Sequence, residues 1–204
     1  MKIGPKYKIA RRLGAQIFDK TQNPKFAAKE ANKTRRSDGG RPRGLTDYGI
    51  QMREKQKVRF FYGISEKQFA NYVKKIITAK GIGQDEELYK LLEIRLDNAV
   101  YRIGLVASRR AARQMVSHGH ILVNGVKVTI PSFSLKKGDE ISIRNGSARS
   151  VLFANIEEKL KEHTPPVWLS FDGAKKQGKV IGLPKLDFTQ AFLDFPAVLD
   201  FYKR

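Results

Sequence analysis

Five arginines, Arg95, Arg102, Arg109, Arg110 and Arg113, fall within one short stretch of this chain, and an earlier basic run holds Arg53, Lys55, Lys57 and Arg59. A guanidinium fork makes bidentate contacts to phosphate oxygens, whereas an ammonium acts as a compact point charge. Further cations stand at Lys6, Lys8, Arg11, Arg12, Arg35, Arg36, Arg41 and Arg43, and His118 and Lys127 flank the arginine stretch. These residues form a candidate polyanion-binding set. Nucleic acid is the leading candidate, and an anionic membrane surface comes second.

Other chemistries are poorly served. The chain has no cysteine, which excludes disulfides, thiolate metal sites and thiol nucleophiles. His118 and His120 alternate without clustered carboxylates, so no metal site is expected. Gly81-Ile82-Gly83 lacks a third glycine and a preceding strand, and reads as a linker rather than a phosphate loop. No catalytic residue, metal or cofactor is expected, and no apolar run approaches the ~20 residues of a membrane span.

Across 204 residues, 40 Lys+Arg face 20 Asp+Glu, a net charge of +20. The surplus is uneven: residues 1–60 carry +12, 61–90 carry +1, 91–150 carry +6 and 151–204 carry +1. The first sixty residues hold too few acids for this to be ordinary solvation of helix faces. With 41% hydrophobic and 10% aromatic residues, the chain has the means to build real cores, so it is no disordered basic tail.

The elements that must position the cations follow from local pattern. Ile9, Leu13, Ile17 and Phe18 share one face of an opening helix. From Thr21 to Gly44, Asn23-Pro24, Asp38-Gly39-Gly40 and Arg41-Pro42-Arg43-Gly44 are turn signals, so this stretch reads as a cationic loop without a core. Thr46 or Asp47 caps a helix that runs to Tyr62 and stops at Gly63. Ser65 and Gln68 form a capping box, and Phe69, Tyr72, Val73, Ile76 and Ile77 line the buried stripe of the next helix, which ends at Gly81.

Leu92, Leu96, Ala99 and Ile103 mark the buried face of one helix ended by Gly104. Arg95 and Arg102, two turns apart, should then point outward together. Ser108 caps a second short helix with Ala112, Met115 and Val116 inward, Arg109 and Arg113 outward, Arg110 flanking, and Gly119 at its end. A strand at 120–123, the hairpin turn Asn124-Gly125 and a return at 126–128 follow. Lys137-Gly138-Asp139 turns into a strand over 140–144. The tail reads as a helix near 156–161, a break at Pro165-Pro166, short strands at 167–172 and 179–181, and an aromatic end of Phe188, Phe192, Phe195, Phe201 and Tyr202 that packs back.

Several of these residues also carry a resemblance. The run Leu91-Leu92-Glu93-Ile94-Arg95-Leu96-Asp97-Asn98, with Val100-Tyr101-Arg102, Ser108-Arg109-Arg110, Ala112-Arg113-Gln114, Val116-Ser117-His118 and Val123-Asn124-Gly125, resembles the RNA-binding domain of the small-subunit ribosomal protein S-four family. Gly4-Pro5-Lys6 with Arg11-Arg12, Asp47-Tyr48-Gly49, Arg53 through Arg59, Tyr62-Gly63, Trp168-Leu169 with Asp172, and Phe201-Tyr202-Lys203-Arg204 are similar to the same family, over nearly the whole chain. The resemblance implies an α+β protein. A mostly helical domain is formed by the N- and C-terminal parts, with an inserted small RNA-binding domain of two helices on a small antiparallel sheet. The expected parts are 1–90 (basic extension and helical domain), 91–150 (RNA-binding domain) and 151–204 (a segment packing back on the helical domain).

It further implies a structural, non-enzymatic constituent of the small ribosomal subunit. Such a protein is an early binder of a multi-helix junction in the five-prime domain of the ribosomal RNA. It nucleates subunit assembly, touches ribosomal protein S-five near the channel through which messenger RNA enters, and supports translational accuracy. The acid-poor start, Met1 to Phe18, has the composition of a transit peptide. The family's amino end begins near Gly4-Pro5, so it reads as mature protein of the cytoplasmic small subunit, with an organelle ribosome left open. Many bacterial relatives carry a cysteine zinc knuckle where Tyr7, Ala10 and Phe26 stand here, so this bacterial-type variant is expected to be zinc-less. Two other readings stand beside this one. Arg95-Leu96-Asp97 resembles a catalytic motif of some RNA pseudouridine synthases, but its place inside a helix pattern makes Asp97 structural, paired with an arginine. A freestanding RNA chaperone is the third reading.

Overall fold

The computed structural model describes residues 3–36, 44–79, 81–148, 153, 163–173, 176–186 and 192–204, with the backbone alone at 30, 31, 33–36 and 148. The turns expected from Asp38 to Arg43, the helix near 156–161 and Phe188 lie outside the described residues. The chain divides into two compact units, Met1–Asp85 with Phe188–Arg204, and Glu86–Asp187. Helices and one antiparallel sheet make it an α+β protein.

In the first unit, helix α1 spans Lys6–Leu13 and buries Ala10 and Leu13. It stops sooner than the apolar spacing suggests, because Gly14 takes the left-handed φ of 65° and turns the chain. Ile17 and Phe18 still reach the same cluster, but from beyond the helix. The expected loop after Thr21 is instead a helix, α2, over Pro24–Arg36. Its start explains the misreading, since Asn and Pro serve turns and helix starts alike. The Asn23 side chain accepts the Lys25 N–H at 2.9 Å, and Pro24 takes the first helical position, where no N–H is needed. Nor is the segment coreless, for Phe26 is buried with Ala10, Leu13, Ile17 and Phe18.

Helix α3 spans Asp47–Tyr62, capped by Thr46, whose hydroxyl accepts from Gly49 N, and closed by Gly63. Helix α4 spans Glu66–Ala79, with Ser65 accepting from Gln68 N and with Phe69, Val73 and Ile76 buried. The C-terminal helix α9, Phe195–Lys203, is capped by Asp194 and packs on α3 and α4. Phe195, Val198 and Leu199 join Val58, Tyr62, Ile64, Phe69 and Val73 among the buried side chains of this unit. Each such side chain contributes about 1.5–3 kcal/mol by leaving water.

The second unit takes in α5, Gln84–Glu93, from Glu86 onward, followed by α6, Leu96–Arg102, and α7, Arg109–Ser117. The single helix expected from Leu92 to Ile103 is therefore broken at Ile94-Arg95. The loop over 131–135 causes the break. Arg95 forms an antiparallel bridge with Ser134, Leu135 N donates to Ile94 O, and the Leu96 and Asp97 N–H groups donate to Phe133 O and Pro131 O. These bonds satisfy the first-turn donors of α6, which otherwise have no intrahelical partner. Ser108 caps α7 as expected, its hydroxyl accepting from Ala111 N.

The strands are β1 Ile121–Val123, β2 Val126–Lys127, β3 Glu140–Ile143, β4 Leu169–Asp172 and β5 Gln177–Val180, with a short turn of helix, α8, at Asn145–Ala148. Their order is β2-β1-β3-β5-β4, every pair antiparallel. Asn124 and Gly125, with φ of 51° and 78°, make the tight turn between β1 and β2. Alternation sets the buried face: Ile121, Val123, Ile141, Ile143, Leu169 and Val180 pack with Leu96, Ala99, Val100 and Ile103 of α6 and Ala112, Met115 and Val116 of α7. The tail departs from expectation, because it does not pack back as one segment. Ile141 pairs with Gly178 and Leu169 with Val180, so β4 and β5 extend the small sheet, and among the described tail residues only 192–204 belong to the helical unit. An edge left open at β3 would expose unpaired backbone groups, which β5 satisfies.

Candidate nucleic-acid interface

Two acids and an amide organise the arginines of α6 and α7. Asp97 is buried at the start of α6. Arg95 meets it fork to fork, Nε to Oδ1 at 3.0 Å and Nη2 to Oδ2 at 2.9 Å, and Arg113 places Nε and Nη2 on Oδ2 at 2.9 and 2.7 Å. Glu93, fully buried, accepts Arg102 Nη2 on Oε1 at 2.7 Å and Nε on Oε2 at 3.0 Å. Asn98 donates to Glu93 Oε2 at 2.9 Å and to the Glu93 carbonyl at 3.0 Å, while its own Oδ1 accepts Arg109 Nε at 2.8 Å. Arg109 also lies over the Tyr101 ring, 4.4 Å from its centroid. The two carboxylates are thus charge-compensated, as a buried charge requires.

This corrects one expectation directly. Arg95 and Arg102 do not point outward together: the Arg95 side chain is 3% exposed and spent on Asp97, whereas Arg102 is 32% exposed. Arg113 keeps 26% of its side chain exposed, Arg109 is half-buried and Arg110 is exposed. Asp97 is structural and paired with arginines, as the sequence suggested. Arg110, Gln114 and His118, spaced by four, form an exposed stripe along α7. At its end the His118 ring stacks on His120, with centroids 6.1 Å apart, and His120 Nδ1 meets Ser147 Oγ at 2.9 Å. Gly119, at φ 71°, leaves room for the Lys127 side chain, which a Cβ there would strike.

The earlier basic run behaves differently. Lys55 is 6% exposed, donates to Glu66 Oε1 at 2.8 Å, and lies 4.5 Å from the Phe201 ring centroid. Lys57 pairs with Glu54 at 2.6 Å. Arg59 donates to Gln56 at 2.9 Å, approaches Glu66 at 3.4 Å and covers the Phe60 ring. Arg53 is half-buried. The sequence offered these cations to a polyanion, but the structure uses Lys55, Lys57 and Arg59 within the helical unit. Burial would raise the Glu66 carboxyl, but hydrogen bonds from Lys55 and Tyr202 and the charges of Lys55 and Arg59 bring it below its usual value. Burial, then the bond to Glu66 and its charge, push the Tyr202 phenol well up.

On α1, Lys8, Arg11 and Arg12 are exposed, with Arg11 over Phe26, and half-buried Lys6 lies over Phe18. The side chains of Arg35 and Arg36, and all of Arg41 and Arg43, lie outside the described residues. Tyr7, Ala10 and Phe26 do meet: the Tyr7 and Phe26 rings are 5.4 Å apart, and Ala10 shares the Phe26 cluster. No group of three metal-ligating side chains exists among the described residues, and no described helix is long and apolar enough to cross a membrane.

Sequence reasoning missed Glu93 and Asn98. The periodic face read there holds only apolar residues, and the roles of these two depend on the break at Arg95. Arg144, just after β3, is exposed as well.

A short helix pair on a small antiparallel sheet, with fixed arginines on the helices, defines an RNA-binding module, and residues 94–141 match the family described as "S4 domain". Residues 1–93 match "Ribosomal protein S4/S9 N-terminal domain". The chain is 41% identical over 204 residues to the small ribosomal subunit protein uS4 of Desulforamulus reducens, covering 98% of each chain. It is 41% identical to that of Halothermothrix orenii, again over 98% of each, and 39% identical to that of Chloroflexus aurantiacus, over 99% of this chain and 98% of the other. The chain belongs to the uS4 family of small ribosomal subunit proteins, which are structural components of the ribosome and not enzymes.

Proposed function

We propose that this chain binds small-subunit ribosomal RNA directly and early, at a multi-helix junction of the five-prime domain, and thereby nucleates subunit assembly in the cytoplasm. The observation that carries the reading is the surface of α6 and α7. Arg102, Arg109 and Arg113 are held in place by hydrogen bonds beside the exposed stripe of Arg110, Gln114 and His118. Double-helical RNA hides its base edges in a narrow major groove, so a rigid array of guanidiniums recognises it through backbone shape. Lys127 extends the array, and the exposed cations of α1, with Arg35, Arg36, Arg41 and Arg43 in sequence beyond, supply a second grip. In the assembled subunit the chain contacts ribosomal protein S-five beside the messenger RNA channel and contributes to accurate decoding.

The test is direct binding of the purified chain to junction RNA and to an unstructured RNA of equal length across a salt series. The expected result is a preference for the junction with a log–log salt slope of about −7 to −11 from some 8–12 neutralised phosphates. Equal affinity for both RNAs would overturn the reading.

A further inference from the structure

At the end of α7 two aromatic rings stand one on the other. The His118 and His120 rings are stacked, with centroids 6.1 Å apart and planes 25° from parallel. We propose that the outer face of the His118 ring is a stacking site for one unpaired nucleobase, with the Lys127 ammonium beside it for that nucleotide's phosphate. This inference rests on the RNA-binding reading above and adds the class of nucleotide that the α7 surface takes.

Three observations support it. First, the inner ring is fixed from two sides. His120 Nδ1 meets Oγ of buried Ser147 at 2.9 Å, and the ring of buried Phe153 makes a T-shaped contact with His120 at 6.2 Å. Second, the outer ring is exposed. His118 stands at the C-cap of α7, and among the described residues His120 is its one ring partner. A stack that ends in solvent presents a flat π face, and every nucleobase has a matching one. Third, the approach to that face is cationic. Gly119, at φ 71°, sits between the two histidines, and the Lys127 side chain packs on it where a Cβ would otherwise stand. Gln114 and Arg110 follow one and two turns back along the exposed stripe, about 6 and 12 Å along the helix axis.

A phosphate alone has no use for this arrangement. It meets an imidazole at the N–H edge rather than the face, and Lys127 and Arg110 already supply charge there. A face held near-parallel to a second, anchored ring suits a flat ligand. RNA presents such ligands where bases are splayed out of the helix, and histidine is one of the side chains on which they stack. With His120 anchored beforehand, little freedom is lost in ordering the platform on binding.

The experiment has two parts. Affinities of wild type, His118→Phe, His118→Ala and His118→Lys are measured for the five-prime-domain junction RNA, for a fully paired duplex and for unstructured RNA of equal length, with circular dichroism and thermal unfolding of each protein. The chain has three histidines, so its few imidazole proton resonances are followed by NMR as the wild type binds junction or duplex.

The expected result is a roughly tenfold loss of junction affinity in His118→Ala and His118→Lys, with His118→Phe close to wild type and His118→Ala unchanged on the duplex. The His118 ring protons should move upfield on the junction, under the ring current of a stacked base, and stay in place on the duplex. Affinity kept by His118→Lys and lost by His118→Phe would assign the residue to a phosphate and overturn the stacking site. Unchanged junction affinity in His118→Ala overturns it too, whether or not the thermal midpoint moves, because a histidine that only serves the C-terminal carbonyls of α7 acts on stability. So do His118 ring protons that stay in place or move downfield on the junction. If wild type binds junction and unstructured RNA equally, the RNA-binding reading has failed, and the stacking site with it.

Discussion

Arg113 and Asp97 lie sixteen residues apart, yet two nitrogens of the arginine share one oxygen of the aspartate, at 2.9 and 2.7 Å. That contact ties α7 to the first turn of α6 and sets where a guanidinium stands on the surface. It also divides the arginines by task. Arg95 neutralises the same aspartate from inside, while Arg110 has its side chain in solvent.

Arg110→Ala and Arg95→Ala should therefore behave as opposites. Losing one exposed phosphate contact lowers the magnitude of the salt slope by about 1 and leaves the thermal midpoint unchanged. Arg95→Ala removes one partner of a buried ion pair and costs about 3 kcal/mol of stability. Salt titration and urea unfolding read the two effects. Equal slopes for both variants would contradict the division.

Lys55→Ala should cost about 1–2 kcal/mol of stability in urea unfolding, from the lost bond to Glu66 and the lost contact with the Phe201 ring. The salt slope on junction RNA should stay that of wild type, since this ammonium faces the C-terminal helix. A slope reduced by about 1, with stability intact, would return Lys55 to the RNA-contacting set.

The Glu66–Tyr202 contact, 3.0 Å long, gives stability a pH signature at both ends. The Glu66 carboxyl is lower in the folded state than its usual 4.5, so folding favours the ionised form. Its contribution is present above pH 4.5 and is lost as pH falls through the folded value. The Tyr202 phenol is raised above 10.0, so its contribution is present below that pH and is lost as pH climbs toward the folded value. Chemical denaturation across pH should show a shallower acid loss in Glu66→Gln and a shallower alkaline loss in Tyr202→Phe. Wild-type profiles from both variants would remove the contact from the account.

Phe26 packs α2 onto α1, against Ala10, Leu13 and the Tyr7 ring. Phe26→Ala should cost about 3 kcal/mol by leaving a cavity among Ala10, Leu13, Ile17 and Phe18. A chelator such as EDTA should leave the thermal midpoint of the wild-type chain where it was. A chelator-induced drop would reveal a bound metal that the aromatic packing does not explain.

What could be read from the sequence was local. Thr46, Gly63, Ser65, Ser108 and the Asn124-Gly125 turn act on their neighbours within a few residues, and each holds its expected place. Asn23-Pro24 shows the limit of local chemistry, for the same pair begins a turn or a helix, and only Phe26 docking on α1 decides between them. The interface was legible as a set of arginines but not as a network. Breaking the helix at Arg95 depends on bonds from 131–135, and burying Lys55 depends on Phe201 and Tyr202 at the far end of the chain. Such partners are set by the fold, and no spacing rule announces them.

The central claim, direct recognition of ribosomal RNA by the α6–α7 surface, is tested most directly by crosslinking this protein to RNA in intact small subunits. Crosslinked peptides and nucleotides are mapped together. The account predicts crosslinks from residues 102–118 concentrated on nucleotides of one junction in the five-prime domain. Crosslinks from this segment that are scattered over the RNA, or that join it only to protein, would contradict it.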